Sequence, residues 1–154
     1  MNAKKLSPAG VVIFYLWRNK FLLILRDDKP EINFPNMWAP VTGGMEEGEN
    51  ICGCAKRESE EEIGIIPKDL RILGISAKGN GFFFGRLTDE EKDSIVLGEG
   101  QTFDFFDFED LSKLKIGGAF KIYLEKFSNI FERIALDNFE PSCQDFDLAI
   151  WTEL

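Results

Sequence analysis

The run Arg57-Glu58-Ser59-Glu60-Glu61-Glu62 packs four carboxylates into five consecutive residues, Glu58 to Glu62. Asn50 is a good helix cap, and Gly64 followed by Pro67 is a good stop, so a helix is predicted from about Ile51 to Ile63. Each step along it rotates about 100°, which gathers Glu58, Glu61 and Glu62 within roughly 100° of arc and turns Glu60 away. Ala55, Ser59 and Ile63, spaced by four, leave a narrow stripe on which the helix can pack. A Glu-rich helix is ordinarily a solvated face, with Lys56 and Arg57 here as its counterions. The spacing weighs against that: such helices place Lys four residues after Glu, whereas Glu58 meets Glu62 and Glu61 meets Ile65. Like charges at that separation repel unless a cation lies between them. Clustered carboxylates are the hard oxygen donors that Mg²⁺ takes, with waters and substrate phosphates completing its shell.

Other chemistries are closed off by what is missing. The chain has no His, which removes Ser-His, Cys-His and His-metal mechanisms together. Its three cysteines are an odd number, and Cys52 and Cys54 are too close on a helix to bridge, so buried reduced thiols are expected. A net charge of −9 opposes binding of a long nucleic acid, which relies on Lys and Arg to displace counterions. A small polyphosphate can still be held if divalent cations bridge the two sets of negative charge. The apolar runs at Val11 to Trp17 and Phe21 to Leu25 are far short of the roughly 20 residues of a membrane helix. The first eight residues lack the cleavage site of a signal peptide, so a cytoplasmic protein is expected.

The elements that must position the helix are legible around it. Val11 to Trp17 and Phe21 to Leu25 read as two strands of a hairpin turning at Arg18-Asn19-Lys20. Asp27 to Pro40, with Pro30, Pro35 and Pro40, reads as a long irregular connection, and Gly43 to Gly48 as a turn-rich bend. Leu70 to Ala77, Phe82 to Leu87 and Thr102 to Phe108 look like strands, and Thr88 to Lys92 like a polar turn or short helix. Leu111 to Leu114 and Phe120 to Ile134 have helical spacing. No repeat or linker marks a boundary, so residues 1–154 are taken as one domain, α/β or α+β, with helices on both faces of a mixed sheet.

From Gly43 through Ile65 the sequence resembles the Nudix box, G-x5-E-x7-R-E-U-x-E-E-x-G-U with U aliphatic. Gly43, Glu49, Arg57, Glu58, Glu61, Glu62, Gly64 and Ile65 fall in register, and only Ser59, at an aliphatic position, departs. Ser59 lies on the packing stripe, so it bears on packing more than on chemistry. Trp38-Ala39-Pro40-Val41-Thr42 and Gly98-Glu99-Gly100-Gln101, leading into Phe105-Phe106, also look like segments of MutT-type members. The likeness runs over roughly residues 8 to 125 and leaves the tail from Phe139 to Leu154 unmatched.

The resemblance implies a Nudix-like α/β/α sandwich and a Mg²⁺- or Mn²⁺-dependent hydrolase. Its substrate would be a nucleoside diphosphate linked to another group, whether a nucleoside triphosphate, a nucleotide sugar or a dinucleoside polyphosphate. Glu58, Glu61 and Glu62 become metal ligands, Arg57 the partner of Glu49 or Glu58, and Glu49 an outer or water-orienting group. Glu99, in a glycine-flanked loop expected to be flexible, becomes a further ligand or base. Gly43 and Gly44 let backbone approach the site, and Phe34 and Trp38, with Phe82 to Phe84, offer surface for stacking a base. Most of the fifteen Phe, however, should be core. Near Gly117-Gly118-Ala119, where MutT enzymes commonly carry an Asn or Asp that reads a purine, no such side chain occurs, which disfavours oxidised guanine. The alternative is a catalytically silent Nudix-fold nucleotide-binding module; such modules usually lose box carboxylates, and this chain keeps them. A related isomerase chemistry needs metal-binding His that is absent. A small-molecule partner is expected, with no membrane and no long nucleic acid, and a homodimer is left open.

Overall fold

The computed structural model of the protein describes residues 10–150, so the N-terminal segment read for a leader lies outside it. Strand β1 (Gly10–Trp17) turns into β2 (Lys20–Leu25) through Arg18 and Asn19, whose φ values of 51° and 64° make a two-residue hairpin turn. Lys20, expected in the turn, already pairs with Trp17. The irregular connection is as predicted except that it ends in a short strand, β3 (Trp38–Ala39), paired with β2. Next comes β4 (Val41–Gly44), antiparallel to β1 with Gly43 opposite Val11 and Gly44 opposite Gly10. The bend expected from Gly43 therefore begins only after Gly44, because the β1 ladder holds both glycines in strand.

Strands β5 (Arg71–Ile75) and β6 (Gly81–Arg86) follow as an antiparallel pair, and β6 runs parallel to β1. The path β3-β2-β1-β6-β5, with β4 added to β1 and β7 (Thr102–Phe106) to β2, makes one mixed sheet. Among the described residues four α-helices accompany it: α1 (Ile51–Ile63), α2 (Asp89–Asp93), α3 (Gly118–Lys126) and α4 (Ser128–Asp137). The stretch predicted helical at Leu111 to Leu114 is a 3₁₀ segment starting earlier, Phe108–Lys113. The single helix expected from Phe120 to Ile134 is two, because Phe127 leaves helical geometry at φ −117°, ψ 35°.

Alternation along β1 sorts the core into two layers. Val11, Ile13 and Tyr15 face α1, where they meet Ile51, Cys54, Ala55 and Ile63. Val12, Phe14 and Leu16 face the opposite way, onto Phe120 of α3 and Phe131 and Ile134 of α4. With both faces covered, the strands read as unbroken apolar runs, and the molecule is an α/β/α sandwich. The unmatched tail belongs to this core: Phe146 and Leu148 are buried, and Ala149 exchanges two backbone hydrogen bonds of 2.9 Å with Ile75. Of the three cysteines only Cys54 is fully buried, Cys52 and Cys143 being half-buried. Ser59, the departure from the box, is buried with its hydroxyl 2.8 Å from that of Tyr15, so neither polar group is left unpaired.

Candidate active site

Helix α1 starts where the Asn50 side chain accepts the Gly53 N–H at 2.7 Å and stops at Gly64, whose φ of 76° is left-handed. Its carboxylates are not equivalent. Glu58 and Glu62, one turn apart, are each only 7% exposed, whereas Glu61 is half exposed and Glu60 points to solvent. The three-carboxylate face expected from the sequence is thus a buried pair with Glu61 beside it. Burial, then the charges of Glu58 and Glu99, push the Glu62 carboxyl up to about 9, against a weak opposing effect of Arg26. Burial raises Glu58 as well, opposed by Arg57.

Arg57 ties the approach to the helix. Its Nε and Nη2 donate to the two oxygens of Glu49 at 2.6 and 3.0 Å, and Nη2 also reaches the Gly44 carbonyl at 2.8 Å. Its Nη1 lies 3.1 Å from Glu58 and 3.2 Å from Glu61. The pairing expected with Glu49 or Glu58 is therefore with both, and the forked contact holds the Glu49 carboxyl down at about 2. Gly43 is required by contact: a Cβ there would overlap the Glu58 carboxyl group, so this strand edge lies directly on the acid pair.

The Glu99 loop is not the free segment the glycines suggested. Val96 and Gly98 donate their N–H groups to the carbonyls of Ile63 and Glu62, at 3.0 and 2.9 Å, so the loop is fastened to the last turn of α1. The reason is that this turn's carbonyls lack helical partners and the loop supplies them. Glu99 and Glu62 consequently line one small cavity of about 100 Å³, together with Arg26.

A pocket of about 380 Å³ adjoins that cavity, sharing Arg26, Ala39 and Pro40 with it and bounded by Gly43, Gly44 and Phe34. Phe34 is 47% exposed, and its ring leans on Gly117, where an added Cβ would come within 2.7 Å of the Phe34 Cβ. Trp38 takes no part in the pocket. It is half-buried and packs against Phe106 at 4.9 Å between ring centroids, and Phe82, Phe83 and Phe84 are fully buried, so these three Phe offer no stacking face. Sequence reasoning missed Arg26, Asn33 and Asn80, which line the pocket from two separate segments, the β2–β3 connection and the turn before β6. A larger groove of about 820 Å³, between the 3₁₀ segment and α3, contains no residue of the acidic helix.

Among the described residues no three His, Cys, Asp or Glu side chains converge closely enough to hold a metal ion. The donor chemistry nevertheless fits a hard divalent cation. Glu58 and Glu62 are adjacent buried carboxyls short of positive charge, with Glu99 across the cavity and Glu61 next to them. Those groups can bind such an ion, and the pocket beside them can hold the organic part of an anion.

The model of the NUDIX domain family matches residues 6–123. The chain belongs to that family, and with every acidic position of the box present it is a Nudix pyrophosphohydrolase by class. The fold is similar to that of the NUDIX domain of Shewanella oneidensis NrtR complexed with ADP ribose, at 14% identity and a TM-score of 0.63 over 82% of this chain and 90% of that one. It is also similar to a C. elegans Ap4A hydrolase, at 23% identity and a TM-score of 0.57 over 84% and 99%. A MutT protein from Methanosarcina mazei Go1 aligns at 20% identity and a TM-score of 0.54 over 89% and 100%. No curated protein matches the sequence.

Proposed function

We propose that the protein is a Mg²⁺- or Mn²⁺-dependent hydrolase that cuts a phosphoanhydride bond in a nucleoside diphosphate linked to a further group. The observation carrying this is the contiguity of pocket and acids: Gly43 forms the pocket wall and backs onto the Glu58 carboxyl, and Arg26 joins the pocket to the Glu62–Glu99 cavity. A nucleotide whose base lies against Phe34 would bring its diphosphate to that junction. Glu58 and Glu62 would hold the cation, with Glu61 and Glu99 as further carboxylates. Bound there, it would neutralise phosphate oxygens and make a nearby water more acidic.

The chain's own residues prepare this. Arg57 fixes Glu49 and steadies Glu58, leaving the Glu58 oxygens placed but incompletely neutralised. Glu62 holds its proton well above the usual carboxylate range, so cation binding is linked to proton release. Arg26 is the positive group poised to meet a phosphate. The test is product release from a panel of nucleoside triphosphates, nucleotide sugars and dinucleoside polyphosphates, with Mg²⁺ or with EDTA. Turnover that needs the metal and fails in Glu62→Gln is expected. Turnover unaffected by EDTA and by Glu62→Gln would overturn the proposal, and binding without turnover of any substrate would favour the silent module.

A further inference from the structure

We infer that Gly98 and Gly100 are positioning residues that let the backbone clip Glu99 beside Glu62 before any ligand arrives; this rests on the reading above that Glu99 serves the cation site. A glycine-flanked acid ordinarily suggests a loop that closes once substrate is bound. The bonds on either side of Glu99 say otherwise. The Gly98 N–H donates to the Glu62 carbonyl at 2.9 Å, and the Gln101 N–H donates to the Leu25 carbonyl at 2.8 Å. Glu99 therefore spans from the last turn of α1 to the end of β2. The cavity it lines is the gap between those two elements, walled by Glu62 on one side and by Ile24 and Arg26 on the other.

The two glycines are needed for different reasons. Gly98 has no left-handed φ, so its backbone shape is open to any residue. What forbids a side chain there is contact, because a Cβ would land on the Glu61 carbonyl oxygen. Even alanine would push the segment off the helix and loosen its bond to the Glu62 carbonyl. Glu99 is the next residue and would move with it, and a displacement of about 1 Å at a reacting group costs roughly a hundredfold in rate. Gly100 differs in taking a φ of 92°, which side chains rarely adopt, and a Cβ there would also stand 2.6 Å from Ile24 Cγ2 and 2.9 Å from the Leu25 carbonyl oxygen. It turns the chain from Glu99 back onto β2. Gly98 lines neither the cavity nor the pocket beside it, so it can reach a bound cation only through its neighbours.

The test is a double-mutant cycle of Gly98→Ala and Glu99→Gln, read by Mn²⁺ affinity from electron paramagnetic resonance and by kcat on the best substrate of the panel. Gly98→Ala should weaken Mn²⁺ binding several-fold and lower kcat roughly a hundredfold, with KM moving much less. Added to Glu99→Gln it should cost little more in either readout, because a glycine that acts by placing Glu99 has nothing left to place. Additive losses would trace the effect to the helix and overturn the inference, as would a Gly98→Ala protein like wild type or a Glu99→Gln variant unchanged in both readouts. Amide hydrogen exchange on the ligand-free wild type needs no variant. The Gly98 and Gln101 amides should exchange roughly tenfold or more slowly than that of Glu99, whose own N–H finds no backbone partner among the described residues. Equal protection factors at the three would reveal a loop that closes only on ligand, against the inference. A non-additive Mn²⁺ cycle without hydrolysis of any substrate would uphold the clip while removing the hydrolase proposal. Metal-dependent turnover untouched by either single variant would do the reverse.

Discussion

Glu62 shares a buried turn with Glu58 and a cavity with Glu99, and its carboxyl titrates near 9 because burial and two like charges oppose ionisation. In the unfolded chain it would titrate near the ordinary 4.5, so between these values the folded state binds the extra proton. Metal-free stability should accordingly be fullest below that window and fall as pH rises through it. Denaturant midpoints in EDTA should show this loss, on the order of a few kcal/mol, and Glu62→Gln should flatten it. A wild-type and variant pH dependence that coincide would remove the case for a strained acid. Glu49 behaves oppositely: held down at about 2 by Arg57, it favours the fold above its ordinary 4.5, an advantage lost as pH falls through about 2. For catalysis, Glu58→Gln and Glu62→Gln should each lower kcat by orders of magnitude, with Glu60→Gln near wild type, since only the first two face the site.

At the scale of elements, α1 stands on the sheet through a substitution that the sequence left unexplained. Serine at position 59 departs from the aliphatic pattern, and its partner, Tyr15, is forty-four residues away on β1, a pairing no spacing rule reveals. Ser59→Ala should leave the Tyr15 hydroxyl buried without a partner and destabilise by about 1–3 kcal/mol. Adding Tyr15→Phe should recover most of that loss, a result additive single effects would contradict. The two loops over the site are joined in a similar way. The Gln101 amide donates to the Arg26 carbonyl at 2.8 Å and to Asn36 Oδ1 at 2.9 Å, tying the Phe34 loop to the segment that carries Glu99. Gln101→Ala should raise KM several-fold with a smaller change in kcat, measured on the best substrate from the panel. The helix, its caps and the box were legible because their signals are local in sequence. The pocket was not, since the Arg26–Asn33 connection meets Asn80 only through strand order, and the packing of Trp38 against Phe106 depends on β7.

For the molecule as a whole, acidity and metal binding are one question. The chain carries 27 acidic against 18 basic residues, so folding concentrates acidic groups, most of all around the buried Glu58–Glu62 pair, with Glu61 beside it and Glu99 across the cavity. An ion that binds this arrangement and not the unfolded chain stabilises the fold by mass action, about 2.7 kcal/mol at a hundred times its Kd. For a domain of this size that corresponds to a rise in Tm of roughly 5–10 °C. Millimolar Mg²⁺ should produce it, and Na⁺ at matched ionic strength should not, because screening spreads over the surface whereas coordination is local. Above about pH 9, where the Glu62 proton is lost and the buried repulsion appears, the Glu58→Gln/Glu62→Gln double variant should melt higher than wild type in EDTA, and at any pH it should respond little to Mg²⁺. An equal Mg²⁺ response in that variant would place the ion elsewhere on the acidic surface and detach the metal from the box.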